Sequence, residues 1–258
     1  MRSLGTLSDL AVGRRLGWRW TAIVVSLAVI ALSTPALADP PPVAAACVKN
    51  WAVAKYDNPD NSDGGRMTWR VRTLSATDWA AGGFAAQVLW AGTNNVDELA
   101  RWVEVGVTHG WQGQNLFTYY SAHGNLATGE YGEARITAVT PVVGNTDNFL
   151  VNLQSTYYGL AYVGSVDGHG LIWTTHWGYS KDYQGGLEAT CNSSRVDRVY
   201  VQSSQRHRSA GVWISPSSGT LNGFTQPAGQ PVTGTVAWCG LPKFRYAMNS
   251  AIDPNVCS

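Results

Sequence analysis

Two glutamates stand where they could share one reaction. Glu104 lies in the run Arg101-Trp-Val-Glu-Val-Gly-Val-Thr108, and Glu188 in Gly185-Gly-Leu-Glu-Ala-Thr190. Neighbouring carboxyl groups push their pKa values apart, so one stays protonated while the other ionises. Such a pair divides acid and base work on one water molecule. The carboxylate takes a proton from the attacking water, and the acid donates to the carbonyl oxygen or the leaving amine. A lone glutamate cannot do both. The chemistry therefore requires both side chains on one surface, and glutamates on opposite faces of the fold would exclude it.

The elements that must carry this pair read as short strands. Val103, Val105 and Val107 alternate with Trp102, Glu104, Gly106 and Thr108, so the valines take the core and Glu104 takes the other face beside a tryptophan. Met67, Trp69, Val71 and Thr73 likewise oppose Thr68, Arg70 and Arg72. Further runs are expected at Phe84–Trp90, Leu116–Ser121 and Ala134–Val139, the last with Ala134, Ile136 and Ala138 inward. Phe149–Leu153 and Tyr157–Val163 read as a hairpin turning at Gln154-Ser-Thr156, and Ser165-Val-Asp-Gly-His-Gly170 reads as a tight turn. Later strands are expected at Val196–Gln202, Val212–Ile214, Thr235–Cys239 and Lys243–Ala247. Only Asn95–Ala100 has a helical character. Short strands at regular spacing predict an all-β, antiparallel two-sheet sandwich of jelly-roll, concanavalin-like type.

The chain of 258 residues opens on Arg14, Arg15 and Arg19, an apolar run from Thr21 to Leu32, and Pro35 before Ala36-Leu37-Ala38. That order predicts a signal peptide over residues 1–38, a single secreted sandwich domain over 39–258, and no membrane attachment after cleavage. Charged residues make up 14% of the chain. Loss of four arginines and Asp9 with the leader takes the formal charge from +1 to −2, and nothing resembles a basic face for nucleic acid. The four cysteines, Cys47, Cys191, Cys239 and Cys257, suit two disulfides in an exported protein. Three pairings are possible; the one taken is Cys47–Cys257, tying the ends, with Cys191–Cys239.

The runs Trp102-Val-Glu-Val-Gly106, Asn115-Leu-Phe-Thr-Tyr-Tyr120 and Gly185-Gly-Leu-Glu188 occur in that order. They resemble the neprosin-type glutamic peptidases, in which a Glu before a Gly, a Leu-Phe-Thr-Tyr strand and a Gly-Gly-Glu segment follow one another. The chain is more distantly similar to the eqolisin-type glutamic peptidases, in which a glutamine and a glutamate work on a concanavalin-like sandwich. Residues 39–258 also resemble a broad group of exported actinobacterial proteins. The peptidase resemblance covers about residues 100–190. It implies that Glu104 and Glu188 are catalytic; a carboxyl pair that divides acid and base work in this way is expected to favour acidic pH. The chain departs from the family pattern at Leu187, between the glycines and Glu188, at Val107, where the family has Trp, and in lacking its central cysteines.

Tyr119, Tyr120 and Gln184 are candidate donors to an oxyanion. Ten of the twelve tryptophans lie beyond the leader, and Trp102, Trp111, Tyr120, Trp173 and Trp177 could stack on sugar rings. The alternative function is thus a carbohydrate- or cell-wall-binding, lectin-like sandwich, and a third is a structural surface protein. The expected partner is a polypeptide substrate or a glycan, with the protein a monomer. The acidic stretch Asp57-Asn-Pro-Asp-Asn-Ser-Asp-Gly-Gly65 spaces its acids three apart, unlike an EF-hand, and reads as solvated turns. The histidines form no His-Glu-x-x-His motif, no Gly-x-Ser-x-Gly elbow is present, and neither metal nor cofactor is expected.

Overall fold

One strand of 22 residues, β1 (Lys49–Arg70), runs through both layers of the fold. The computed structural model describes residues 49–76, 79, 82–93, 101–173, 180–190, 195–208, 213–215, 220–226, 234–239 and 244–248. All of them belong to the second of two units into which the chain divides, Ala44–Ser258.

In the first sheet, the leading half of β1 lies between β13 (Thr220–Gln226) and β10 (Ser180–Thr190). Beyond β10 come β3 (Ala85–Thr93), β4 (Arg101–His109), β5 (Phe117–Asn125) and β6 (Glu130–Arg135). In the second sheet, the trailing half of β1 pairs with β7 (Thr146–Thr156) and β11 (Arg195–Arg208). From β7 that sheet continues to β8 (Gly159–Val166) and β9 (His169–Trp173). From β11 it continues to β15 (Phe244–Met248) and β14 (Gly234–Trp238). The short strands β2 (Leu74–Ser75) and β12 (Trp213–Ile214) also pair with β11. Every pairing is antiparallel, and the expected all-β sandwich is the observed architecture.

The stretch read as a solvated loop, Asp57–Gly65, instead stays within β1, whose register with β10 breaks between Asp57 and Ser62. The paired glycines serve close approach here. A methyl on Gly64 would lie 2.2 Å from the Val151 carbonyl oxygen, and one on Gly65 would lie 2.9 Å from the Tyr183 ring. Just beyond the change of partners at Ser62, β1 thus approaches β7 and β10 too closely at two positions for any side chain.

Between the sheets the alternating apolar residues meet. Tyr56 stacks on Tyr183 with ring centroids 4.8 Å apart, Trp69 packs tilted against Phe149 at 4.5 Å, and Val103, Val105 and Val107 are fully buried. Burial of each large side chain contributes about 1.5–3 kcal/mol. Several strand boundaries differ from the sequence reading, two of them in ways that move a turn or shorten a strand. The β7–β8 hairpin turns at Tyr157-Tyr158 rather than at Gln154–Thr156, because pairing continues to Thr156↔Gly159. The strand expected over Ala134–Val139 is β6, which starts at Glu130 and ends at Arg135; Ile136 still enters the core, its N–H donating to Tyr119 O. The β8–β9 turn uses left-handed Asp167 and Gly168, the pattern of a two-residue hairpin loop.

The segment Asn95–Ala100 and Cys47, Cys191 and Cys257 lie outside the described residues, as does the leader. The expected cysteine pairing is therefore not addressed by the described part of the fold.

Candidate active site

The face of the first sheet turned away from the second sheet carries a second apolar cluster, built from Trp51, Val53, Ala86, Val88, Trp90, Trp111, Tyr120 and Ala122. Strand alternation selects these residues. On β4 the valines take the core, so Trp102, Glu104, Gly106 and Thr108 face outward. On β10, Leu187 is fully buried in the core, which turns Gln184, Gly186 and Glu188 to the same outward face. Leu187, a departure from the peptidase pattern, is thus the residue whose inward position directs Glu188 outward.

Register arranges the outward residues in rows across the strands. Gln184, Trp90, Glu104, Ala122 and Glu133 form one row from β10 to β6. Gly186, Val88, Gly106 and Tyr120 form the next, and Glu188, Ala86 and Thr108 the one beyond. Glu104 and Glu188 therefore stand two strands and two rows apart, with the glycine-bordered row between them as a floor. Side chains are barred from its two glycine positions: a methyl on Gly106 would lie 2.4 Å from Gln87 O, and one on Gly186 would lie 2.2 Å from Ala52 O.

Both glutamates line one cavity of about 550 Å³. Trp51, Phe84, Trp90, Trp102 and Trp111 supply its aromatic walls, and Lys49, Thr108, Gln112, Tyr120, Tyr131, Glu133 and Gln184 its polar lining. The loop between β4 and β5 closes over one side. Gly110 and Gly113 have positive φ there, as does Gln112 at 46°, a conformation that costs a non-glycine residue about 1 kcal/mol or more. Gln112 Nε2 donates to Glu133 Oε1 at 3.0 Å, and Tyr131 OH donates to Glu133 Oε2 at 2.8 Å.

The two carboxyl groups have different surroundings. Glu188 is buried, and its Oε1 stands 2.6 Å from Lys49 Nζ, an ion pair between a buried carboxylate and a half-exposed ammonium. The same Nζ lies 5.3 Å from the Trp51 ring and 5.9 Å from Phe84. Burial raises the Glu104 pKa to about 8, and the negative charge of Glu188 adds to the rise. Lys49 and a hydrogen bond from Trp90 pull it partly back. Glu104 is thus an acid that keeps its proton at neutral pH, in the same cavity as an ion-paired carboxylate. Burial, then the charges of Glu104 and Glu188, lift the Tyr120 phenol well above its ordinary value and keep it a donor. Gln184 is 5% exposed, and its Nε2 has no hydrogen-bond partner among the described residues.

The other residues singled out in the sequence fall elsewhere. Tyr119 lies on the core side of β5, one residue out of phase with Tyr120, and its hydroxyl donates to buried Asp147. Trp173 is on β9 behind the sheet. Its Nε1 donates to Ser121 Oγ at 2.8 Å, and that hydroxyl donates to the Glu104 carbonyl at 2.6 Å. Neither Tyr119 nor Trp173 lines the cavity; Trp173 braces the backbone of Glu104 from behind. Trp177 lies outside the described residues. The sequence reading missed Lys49, Trp51, Trp90 and Glu133. Alternation in Lys49-Asn-Trp51 and Tyr131-Gly-Glu133 puts each pair on one face, which is the signal that marks them. Among the described residues no group of three His, Cys, Asp or Glu is arranged to hold a metal ion.

No protein-family model matches the chain, and no curated protein does. Among solved structures the fold is similar to that of SCP-B, a member of the eqolisin family of peptidases solved in complex with the tripeptide Ala-Ile-His. The likeness covers 78% of this chain and 98% of that one, with a TM-score of 0.51 and 9% sequence identity. It establishes a shared sandwich architecture.

Proposed function

We propose that this protein is a glutamic-peptidase-like hydrolase that cleaves peptide bonds with Glu104 as acid and Glu188 as base. The observation that carries this reading is the difference between the two carboxyl groups in one cavity: Glu104 is raised to about 8 and protonated, and Glu188 is ion-paired to Lys49. The fold shared with a peptidase solved with a bound tripeptide supports it.

The proposed reaction balances on these two groups. A water held by Glu188 attacks the peptide carbonyl carbon; its proton passes to Glu188 while Glu104, across the glycine-bordered floor, gives its proton to the carbonyl oxygen. The resulting tetrahedral species carries two hydroxyl groups. On collapse one hydroxyl returns its proton to Glu104, the carbon–nitrogen bond breaks, and the leaving amine takes the proton held by Glu188. Tyr120 OH and Gln184 Nε2, a neutral donor without a protein partner, are the groups suited to stabilise charge on the oxygen. The acid form of Glu104 persists from acidic pH to about pH 8, which sets the upper limit of activity. Export and an extracellular polypeptide substrate follow from the leader pattern as part of the same proposal.

The test is digestion of a denatured protein and of peptides between pH 3 and 9 by the wild type, Glu104→Gln and Glu188→Gln. Cleavage lost by at least two orders of magnitude in both variants supports the pair. Cleavage retained in either removes it.

A second reading is favoured by the aromatic walls, with Trp51, Trp90, Trp102 and Trp111 on one cavity. Aromatic faces bind sugar rings, and a non-catalytic glycan-binding sandwich would use the same space. Glycan binding that survives Glu104→Gln, with no hydrolysis by any variant, selects that reading.

A further inference from the structure

We infer that the cavity accepts a basic side chain, lysine or arginine, against Glu133, so that the peptides it takes carry a cationic residue beside the bond held at Glu104. The inference takes the cavity as the peptide site proposed above and names its substrate class.

Glu133 shares a row with Glu104, two strands away, with only Ala122 between them. Two inter-strand spacings put their Cα atoms about 10 Å apart. The four-carbon stem of a lysine, or an arginine side chain, covers that gap once the substrate backbone lies at Glu104. Ala122 keeps the floor low. Trp102 forms the wall on one side, lying so close over Gly124 that a methyl there would meet its ring at 2.2 Å. An aliphatic stem can lie along that ring while the charged head reaches on.

Among the described residues, the charge at the end of the gap has no counterion. Each oxygen of Glu133 accepts one bond from a neutral donor, Gln112 or Tyr131, and among the described residues each keeps a further acceptor position. No cation contacts Glu133 among the described residues. Arg135 is nearest along β6, but its Nε donates to Thr118 Oγ1 at 3.2 Å, away from Glu133. Lys49, a cation lining the cavity, is engaged by Glu188. The cavity is thus aromatic, acidic and short of positive charge. Gln184, 5% exposed with an unpartnered Nε2 in the lining, is a second mark of a space built for a polar ligand.

Two measurements on the full protein test the inference separately from catalysis. The first is equilibrium binding of a capped tetrapeptide carrying lysine, and of the same peptide with norleucine at that position. Lysine should bind at least tenfold tighter. Glu133→Gln should remove the difference, and Glu133→Asp should retain part of it, which shows that charge rather than folding is being read. Equal binding of the two peptides by the wild type overturns the inference. The second measurement maps cleavage sites in a denatured protein by mass spectrometry. Enrichment of lysine or arginine next to the cleaved bond supports the inference, and cleavage without such enrichment overturns it while leaving the hydrolase reading intact. Lysine-selective binding with no cleavage by any variant removes the hydrolase reading alone.

Discussion

The Nζ of Lys49 stands 2.6 Å from Oε1 of Glu188, joining the first strand of the sandwich to the tenth across the wall of the cavity. Its charge acts on Glu104 as well, lowering the pKa of that acid. Lys49→Met should therefore do two things. It should lower kcat/KM about tenfold by releasing Glu188, and it should move the alkaline limb of the pH profile above 8, since Glu104 then holds its proton more tightly. Lys49→Arg should keep most of the activity. An unmoved alkaline limb in Lys49→Met would show that the lysine does not act on Glu104.

Stability should depend on pH through Glu104. Its folded pKa, about 8, lies above the ordinary 4.5, so the folded state binds this proton more tightly than the unfolded chain. The contribution is complete below about pH 4.5 and is lost as pH rises toward 8. Unfolding midpoints in denaturant should fall across that window in the wild type and fall less steeply in Glu104→Gln. Parallel curves for the two proteins would place the acid in a less buried setting.

Gln184 should trade stability against function. A buried donor without a partner costs about 1–3 kcal/mol, and an apolar replacement of similar shape avoids that cost. Gln184→Met should raise Tm while weakening peptide binding or turnover. A fall in Tm would indicate that the amide has a partner within the folded protein.

Gly186→Ala should be destabilising out of proportion to one methyl group. The added carbon would lie 2.2 Å from Ala52 O and 2.8 Å from the Val53 Cα, so backbone must move. A loss of about 1–3 kcal/mol is expected from overpacking, measured by chemical unfolding, together with a loss of activity because the floor between the glutamates is displaced. Wild-type stability in this variant would rule out the close β1–β10 approach.

The alternation of Val103, Val105 and Val107 against Glu104 made one face of β4 legible, because apolar and polar residues there differ sharply. The same rule failed at Tyr119-Tyr120. Both are large and aromatic, so composition does not say which faces the core, and only register shows Tyr120 in the cavity and Tyr119 bonded to Asp147. Asp57–Gly65 read as a loop because its residues favour turns. The close packing of Gly64 and Gly65 against β7 and β10 depends on residues far along the chain and leaves no local mark. Lys49 and Glu133 were missed for a related reason. Each acquires its role from a partner on another strand, and cross-strand register is a property of the assembled sheet rather than of any short run.

The long first strand has a consequence for the order of events in folding. Among the described residues its strand partners, β7, β10, β11 and β13, come from residues 146–226, none from its immediate neighbours. Contacts so distant in sequence form late and slowly. Until they form, Glu188 lacks Lys49 and the cavity lacks the wall that Trp51 provides. A chain still emerging or still collapsing therefore has no assembled site, and whatever the cavity does begins only when the last strands close around the first.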